Sequence, residues 1–201
     1  MSTSCGGSKN ARVQYQLAQV DLAIEKYDEA LRYAAISSSS RHWEGNILHR
    51  LGDIYTQRVD WRQAIKAYQR IKRADPEDER ARSYLFDLYA KTGQRNEALQ
   101  ELDELVELHK ARRQPRQALS ALEGAASARP QDLALRVRLA RMYLDMRMKE
   151  EAIAELDAVG ELQLKANKTQ DAIHTIQAII RLGPENSEGY QQLLAQLKAQ
   201  H

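Results

Sequence analysis

The chain of 201 residues carries one cysteine, four prolines, nine glycines and a single phenylalanine. Cys5 alone can neither close an internal disulfide nor supply a thiolate metal cluster. So few prolines and glycines leave room only for few and short turns. Strand formers are scarce: Val, Ile and Thr number 6, 11 and 5, against 28 Ala, 24 Leu and 18 Gln, so an all-α chain is expected. No stretch approaches the roughly 18 consecutive apolar residues of a membrane span. A charge excess is missing too. The 30 Lys and Arg against 28 Asp and Glu leave a net charge of +2, which excludes a broad nucleic-acid or membrane footprint and confines any anion binding to local clusters.

Catalytic and metal-binding patterns are also absent. His42 and His49 lie seven apart and share one face of a predicted helix, but no third ligand pattern accompanies them, so they are expected to face solvent or line a groove. His109 and His174 fall on amphipathic helices and are expected to be partly buried. The glycines compose no phosphate-binding loop. The chain is therefore expected to be no enzyme and to take no metal and no cofactor. Residues 1–10 are rich in Ser and Gly and have neither a basic start nor an apolar core, which predicts a flexible leader and a cytoplasmic protein.

What is present is a repeat. From Gly45 to Asp78 the chain places Leu48, Leu51, Gly52, Tyr55, Trp61, Ala64, Tyr68 and Pro76 at fixed offsets. Stepping back 34 residues from Ala64 lands on Ala30, with Leu17 and Ala18 where Leu51 and Gly52 stand, and stepping forward 34 lands on Ala98, preceded by Leu85, Tyr89 and Gly93. Gly52 and Ala64 are small, so two antiparallel helices can approach closely, and Pro76 stops the second. This pattern resembles the tetratricopeptide repeat. Phe86 and Asp21 depart from it, so the outer repeats are degenerate, a trait that suggests a bacterial source.

A second spacing follows. Ala98 to Ala118 and Ala152 to Ala172 each span 20 residues, while Ala98 to Ala152, Pro76 to Pro130 and Pro130 to Pro184 each span 54. The helices near 97–111 and 151–165 are thus expected to act twice, as second helix of one pair and first helix of the next, with a change of curvature there. Helices are predicted at about 11–24, 27–39, 42–57, 61–73, 78–91, 95–111, 115–128, 131–146, 149–165, 168–181 and 185–199. The resemblance implies a right-handed α-solenoid of about eleven helices over residues 11–201, one continuous stack rather than two domains.

It also implies function. In this family the first helix of each pair lines a groove, and the groove places fall here on Asn46, His49, Arg50, Asp53 and Thr56, then on Arg80, Ser83, Tyr84 and Asp87, then on Arg138 and Arg141 with the apolar Ala134, Val137 and Leu144. The first repeat offers Arg12, Tyr15, Gln16 and Gln19. A protein or peptide partner and a scaffold role are implied. Relatives that clamp the acidic tails of chaperones carry Lys and Asn where this chain has His49 with Asp53 and Ser83 with Asp87, and the two aspartates are expected to repel such a tail. The alternative rests on a basic stripe, Arg62, Lys66, Arg70 and Arg73 beside Arg58 and Lys72, with a second cluster at Lys110, Arg112, Arg113 and Arg116. These could meet a polyanion, but a solvated face and no nucleic acid is the expectation.

Overall fold

The computed structural model describes residues 21–30, 32 and 41–199. Expectations for Cys5, the leader, Arg12, Tyr15, Gln16, Gln19 and the His42 side chain lie outside them. The described residues are helical, in the order α1 (21–30), α2 (Arg41–Gln57), α3 (Trp61–Ala74), α4 (Glu79–Lys91), α5 (Arg95–Ala111), α6 (Pro115–Ala128), α7 (Leu133–Asp145), α8 (Lys149–Lys165), α9 (Thr169–Leu182) and α10 (Ser187–Ala199). From α2 onward, every predicted boundary falls within two residues of these. Local chemistry fixes these starts: Asp60, Asp78 and Asp132 each cap the following helix by accepting from a backbone N–H of its first turn, and Pro115 opens α6 where its missing N–H costs nothing.

One boundary is corrected. A turn was expected between residues 24 and 27, but residues 21–30 form one unbroken helix. The stretch DLAIEKYDEA contains no Gly, Pro or Asn, so nothing in it opposes continued helix.

The chain divides into two compact units, residues 1–101 and 102–201, with the division inside α5. In the first unit α2 packs on α3 and α3 on α4, around Leu48, Leu51, Ala64, Tyr68, Ile71, Leu85 and Leu88. In the second, α8 packs on both α7 and α9, and α10 closes on α9 through Leu197 against Ile173 and Ile176.

The 54-residue period is written into the backbone. Helices α4, α5 and α6 are 13, 17 and 14 residues long, and so are α7, α8 and α9. The turns repeat as well. Left-handed residues stand at Val59, Gly93, Arg113, Arg147 and Asn167, with φ between 56° and 77°, alternately 34 and 20 residues apart. Only Gly93 takes that conformation without a steric cost.

Each unit also contains the same brace. In the first, the Arg82 guanidinium, 8 % exposed, donates from Nε and Nη2 to the Pro76 carbonyl at 2.9 and 2.6 Å and lies 3.6 Å from Glu101. Lys72 reaches both oxygens of Glu101 at 2.8 Å. Fifty-four residues on, Arg136 donates to the Pro130 carbonyl at 2.6 Å and to Glu155 at 2.7 Å. A second pair recurs too: Gln69 donates to the Tyr89 hydroxyl, and Tyr143 donates to Glu123.

Two stability measurements follow. Arg136→Ala strands a largely buried Glu155 and is expected to cost about 3 kcal/mol in urea unfolding, whereas Arg138→Ala, whose partner Asp103 is 51 % exposed, costs under about 1 kcal/mol. Equal losses would remove the brace from its place in the fold. Val59→Gly relieves a β-branched residue held at positive φ and raises the urea midpoint, by about 1 kcal/mol of stability.

Candidate functional site

Groove places on α2 and α4 converge in the first unit, around a residue of α3. Asp53 accepts from the Tyr68 hydroxyl at 2.8 Å and from Arg80 at 2.7 Å. Tyr84 stacks on Tyr68 with centroids 4.7 Å apart and planes 5° from parallel, and the Arg80 guanidinium lies over the Tyr84 ring at 5.5 Å. His49 meets the edge of Tyr68 at 5.9 Å, and its Nε2 is 2.8 Å from Asp78, the aspartate that also caps α4. The His49 Nδ1 is buried with no hydrogen-bond partner. Burial, and then the bond to Asp53, push the Tyr68 phenol well above the usual tyrosine range. The neutral phenol is the donor, so the stability gained from its raised pKa is fully present below the ordinary tyrosine value of about 10 and is lost only as the pH rises beyond it.

These contacts correct one expectation. Asp53 is no bare negative charge, because Arg80 and Tyr68 occupy its two oxygens, so its repulsion of an acidic ligand is cancelled. Asp87 is half-buried. Thr56 turns back on its own helix and donates to the Gly52 carbonyl at 2.8 Å. Asn46, Arg50 and Ser83 are exposed and make no side-chain hydrogen bond or ion pair among the described residues. Beside them a cleft of about 460 Å³ opens between Asn46, His49, Ile71 and Asp78.

In the second unit, a cleft of about 390 Å³ lies between α5 and α7. Arg138 grips Asp103 with a two-pronged fork at 2.7 and 2.8 Å, and this bond raises its pKa. Lys110 is held by Asp145 and Glu107 at 3.2 and 3.3 Å. Arg141 is exposed and unpaired among the described residues, and Val137 and Leu144 beside it on α7 are 38 % and 37 % exposed.

Sequence reasoning placed Tyr68 in the packing and missed its place at the centre of the first groove. It also missed Asp103, Val106, Glu107 and Lys110, which line the second. The signal for these four was the shared-helix spacing, since a first-helix role for α5 gives it a groove face. His109 is buried as expected, but His174 is exposed, because α9 buries Ala172, Ile173, Ile176 and Ile179 and turns residue 174 outward.

The basic stripe is broken by its neighbours: Arg70 pairs with Glu44 and Lys72 with Glu101, while Arg62 and Lys66 have no partner among the described residues. Among the described residues no group of three or more His, Cys, Asp or Glu could hold a metal ion, and no helix is long and apolar enough to cross a membrane.

Gly52 sets how closely α2 approaches this cluster: a Cβ there would stand 2.5 to 3.0 Å from the Tyr68 ring. Gly52→Ala gains helix propensity of about 1 kcal/mol but must displace a buried ring that anchors the network, at about 1–3 kcal/mol. A net loss of stability together with loss of the Tyr68–Tyr84 near-ultraviolet dichroism is expected. Unchanged dichroism would mean the ring is not seated there.

Comparison with known proteins places the chain. Two family models described as tetratricopeptide repeat match it, one over residues 55–113 and 109–163, the other over 9–79. No curated protein matches the sequence. Similar solved structures include a tetratricopeptide repeat protein from Parabacteroides merdae, 19 % identical over 93 % of this chain and 81 % of that one, with a TM-score of 0.40. MamA from Desulfovibrio magneticus is 14 % identical over 79 % of this chain and 97 % of its own, at 0.36. YrrB, a tetratricopeptide repeat protein with an unusual peptide-binding site, is 15 % identical over 81 % of this chain and 95 % of its own, at 0.34. With family models matching more than half of its length, the chain belongs to the tetratricopeptide repeat family.

Proposed function

We propose that the chain is a non-enzymatic scaffold that binds protein or peptide partners on the groove faces of its first helices. The observation that carries this reading is a contrast between the two copies of the 54-residue unit. Positions that hold the repeat together persist from copy to copy: Pro76 and Pro130, Asp78 and Asp132, Arg82 and Arg136, Leu85 and Leu139, Tyr89 and Tyr143. The groove places between them do not. Arg80, Ser83, Tyr84 and Asp87 become Ala134, Val137, Arg138 and Arg141.

Positions released from the packing have been filled with different chemistry in each copy, as recognition surfaces require. The mixture also suits several modest contacts rather than one deep pocket: exposed Asn46, Arg50 and Ser83 in one unit, exposed Val137, Arg141 and Leu144 in the other. The locked rings and ion pairs beneath them need no reordering on binding, which lowers the entropic cost of association.

The test uses two paired variants that spare the Tyr68 network, Arg50→Glu with Ser83→Glu and Arg141→Glu with Leu144→Glu. Partners recovered by affinity purification and mass spectrometry on the wild-type chain should fall by about tenfold or more with at least one pair, while the helical circular dichroism is unchanged. A partner recovered equally by the wild type and both variants would place binding elsewhere and sink the groove reading.

A further inference from the structure

A larger cleft lies in the first unit and shares no residue with the groove. It has a volume of about 730 Å³ and runs from the α2–α3 turn to the start of α5, past Trp61, Ile65 and Tyr89. Its floor is apolar, and Val59 at its edge is 61 % exposed. Arg62 and Lys66 stand on its rim one helical turn apart, both exposed and both without a partner among the described residues. Lys91 adds a third cation, 5.3 Å from the centre of the Trp61 ring.

The cleft also holds two carboxylates, but each serves a helix N-terminus: Asp60 accepts from the Gln63 N–H as the cap of α3, and Glu97 sits in the first turn of α5. With Lys91 counted, three cations stand against these two carboxylates, so the balance of charge at the cleft is positive. We propose that this cleft binds an acidic peptide segment carrying a large apolar side chain, the carboxylates meeting Arg62 and Lys66 and the apolar group lying on Trp61, Ile65 and Tyr89.

The repeat supplies an independent argument. Fifty-four residues on, the structural neighbours persist, with Ala118 for Ala64, Leu119 for Ile65 and Tyr143 for Tyr89, and Arg62 returns as Arg116, but Pro115 replaces Trp61, Ser120 replaces Lys66 and Asp145 replaces Lys91. The ring, Lys66 and Lys91 are thus not demanded by the helix packing, which is achieved without them in the other copy. A polynucleotide fits less well. The stripe that would track its backbone is interrupted by the Arg70–Glu44 and Lys72–Glu101 pairs.

The experiment titrates the full chain with the synthetic peptide Glu-Phe-Glu-Glu-Leu-Glu and follows Trp61 emission in a Trp43→Phe background, with calorimetry on the wild-type chain as a second readout. Binding should weaken about tenfold in Arg62→Glu/Lys66→Glu, and comparably when the peptide's Phe and Leu are replaced by Ala. It should be unchanged in Arg50→Glu, which separates this cleft from the groove. No binding of the peptide by calorimetry, or binding indifferent to Arg62→Glu/Lys66→Glu, overturns the proposal. So does a single-stranded oligonucleotide that binds more tightly than the peptide. Should Trp43→Phe not fold, calorimetry on the wild type against Arg62→Glu/Lys66→Glu decides alone.

Discussion

A buried guanidinium can be held only where its charge and its donors are all answered, and in this chain that requirement organises the repeat. Arg82 and Arg136 each reach back to the carbonyl of the proline that ends the preceding helix and forward to a glutamate on the next helix. The proline carbonyl sits just past a helix end, where no intrahelical donor is available to it. One side chain thus fixes the exit of one helix, the start of the next and the face of a third. Moving any of the three would leave a charge or a carbonyl unsatisfied.

The regular spacing follows from this arrangement. If proline, arginine and glutamate must return in register, then the helices between them must return with the same lengths, and 13, 17 and 14 residues do so twice. The turns must then reverse the chain at fixed positions. At Val59, Arg113, Arg147 and Asn167 a residue other than glycine accepts the left-handed conformation. Their side chains bring a cost that the interfaces on either side of each turn outweigh.

Much of the fold was legible because its signals are local. Pro76, Pro130 and Pro184 mark helix ends, and the small Gly52 and Ala64 mark where helices meet. The extra turn expected near residue 25 had no such signal and came only from stepping the period backward. The groove positions were legible in the same way, from spacing, but their chemistry was not. Whether Asp53 repels an acidic ligand depends on whether Arg80 and Tyr68 reach it, and those distances are set by the packing of three helices. Spacing predicts which residues share a face; it does not predict which of them will satisfy one another.

That distinction decides what each face can recognise. In the first unit the polar groups with fixed partners, Asp53, Arg80 and His49, form a rigid floor, and the groups left over are the neutral Asn46 and Ser83 and the cation Arg50. In the second unit the Arg138–Asp103 fork and the Lys110 pairs consume most of the charge, leaving Arg141 between Val137 and Leu144. The proposed partners therefore differ in kind: a polar segment suits the first face and an aliphatic segment with one acidic residue suits the second. Because the bound charges are already paired within the protein, the ligand need not supply their desolvation, and selectivity falls to the few groups the packing leaves unpaired.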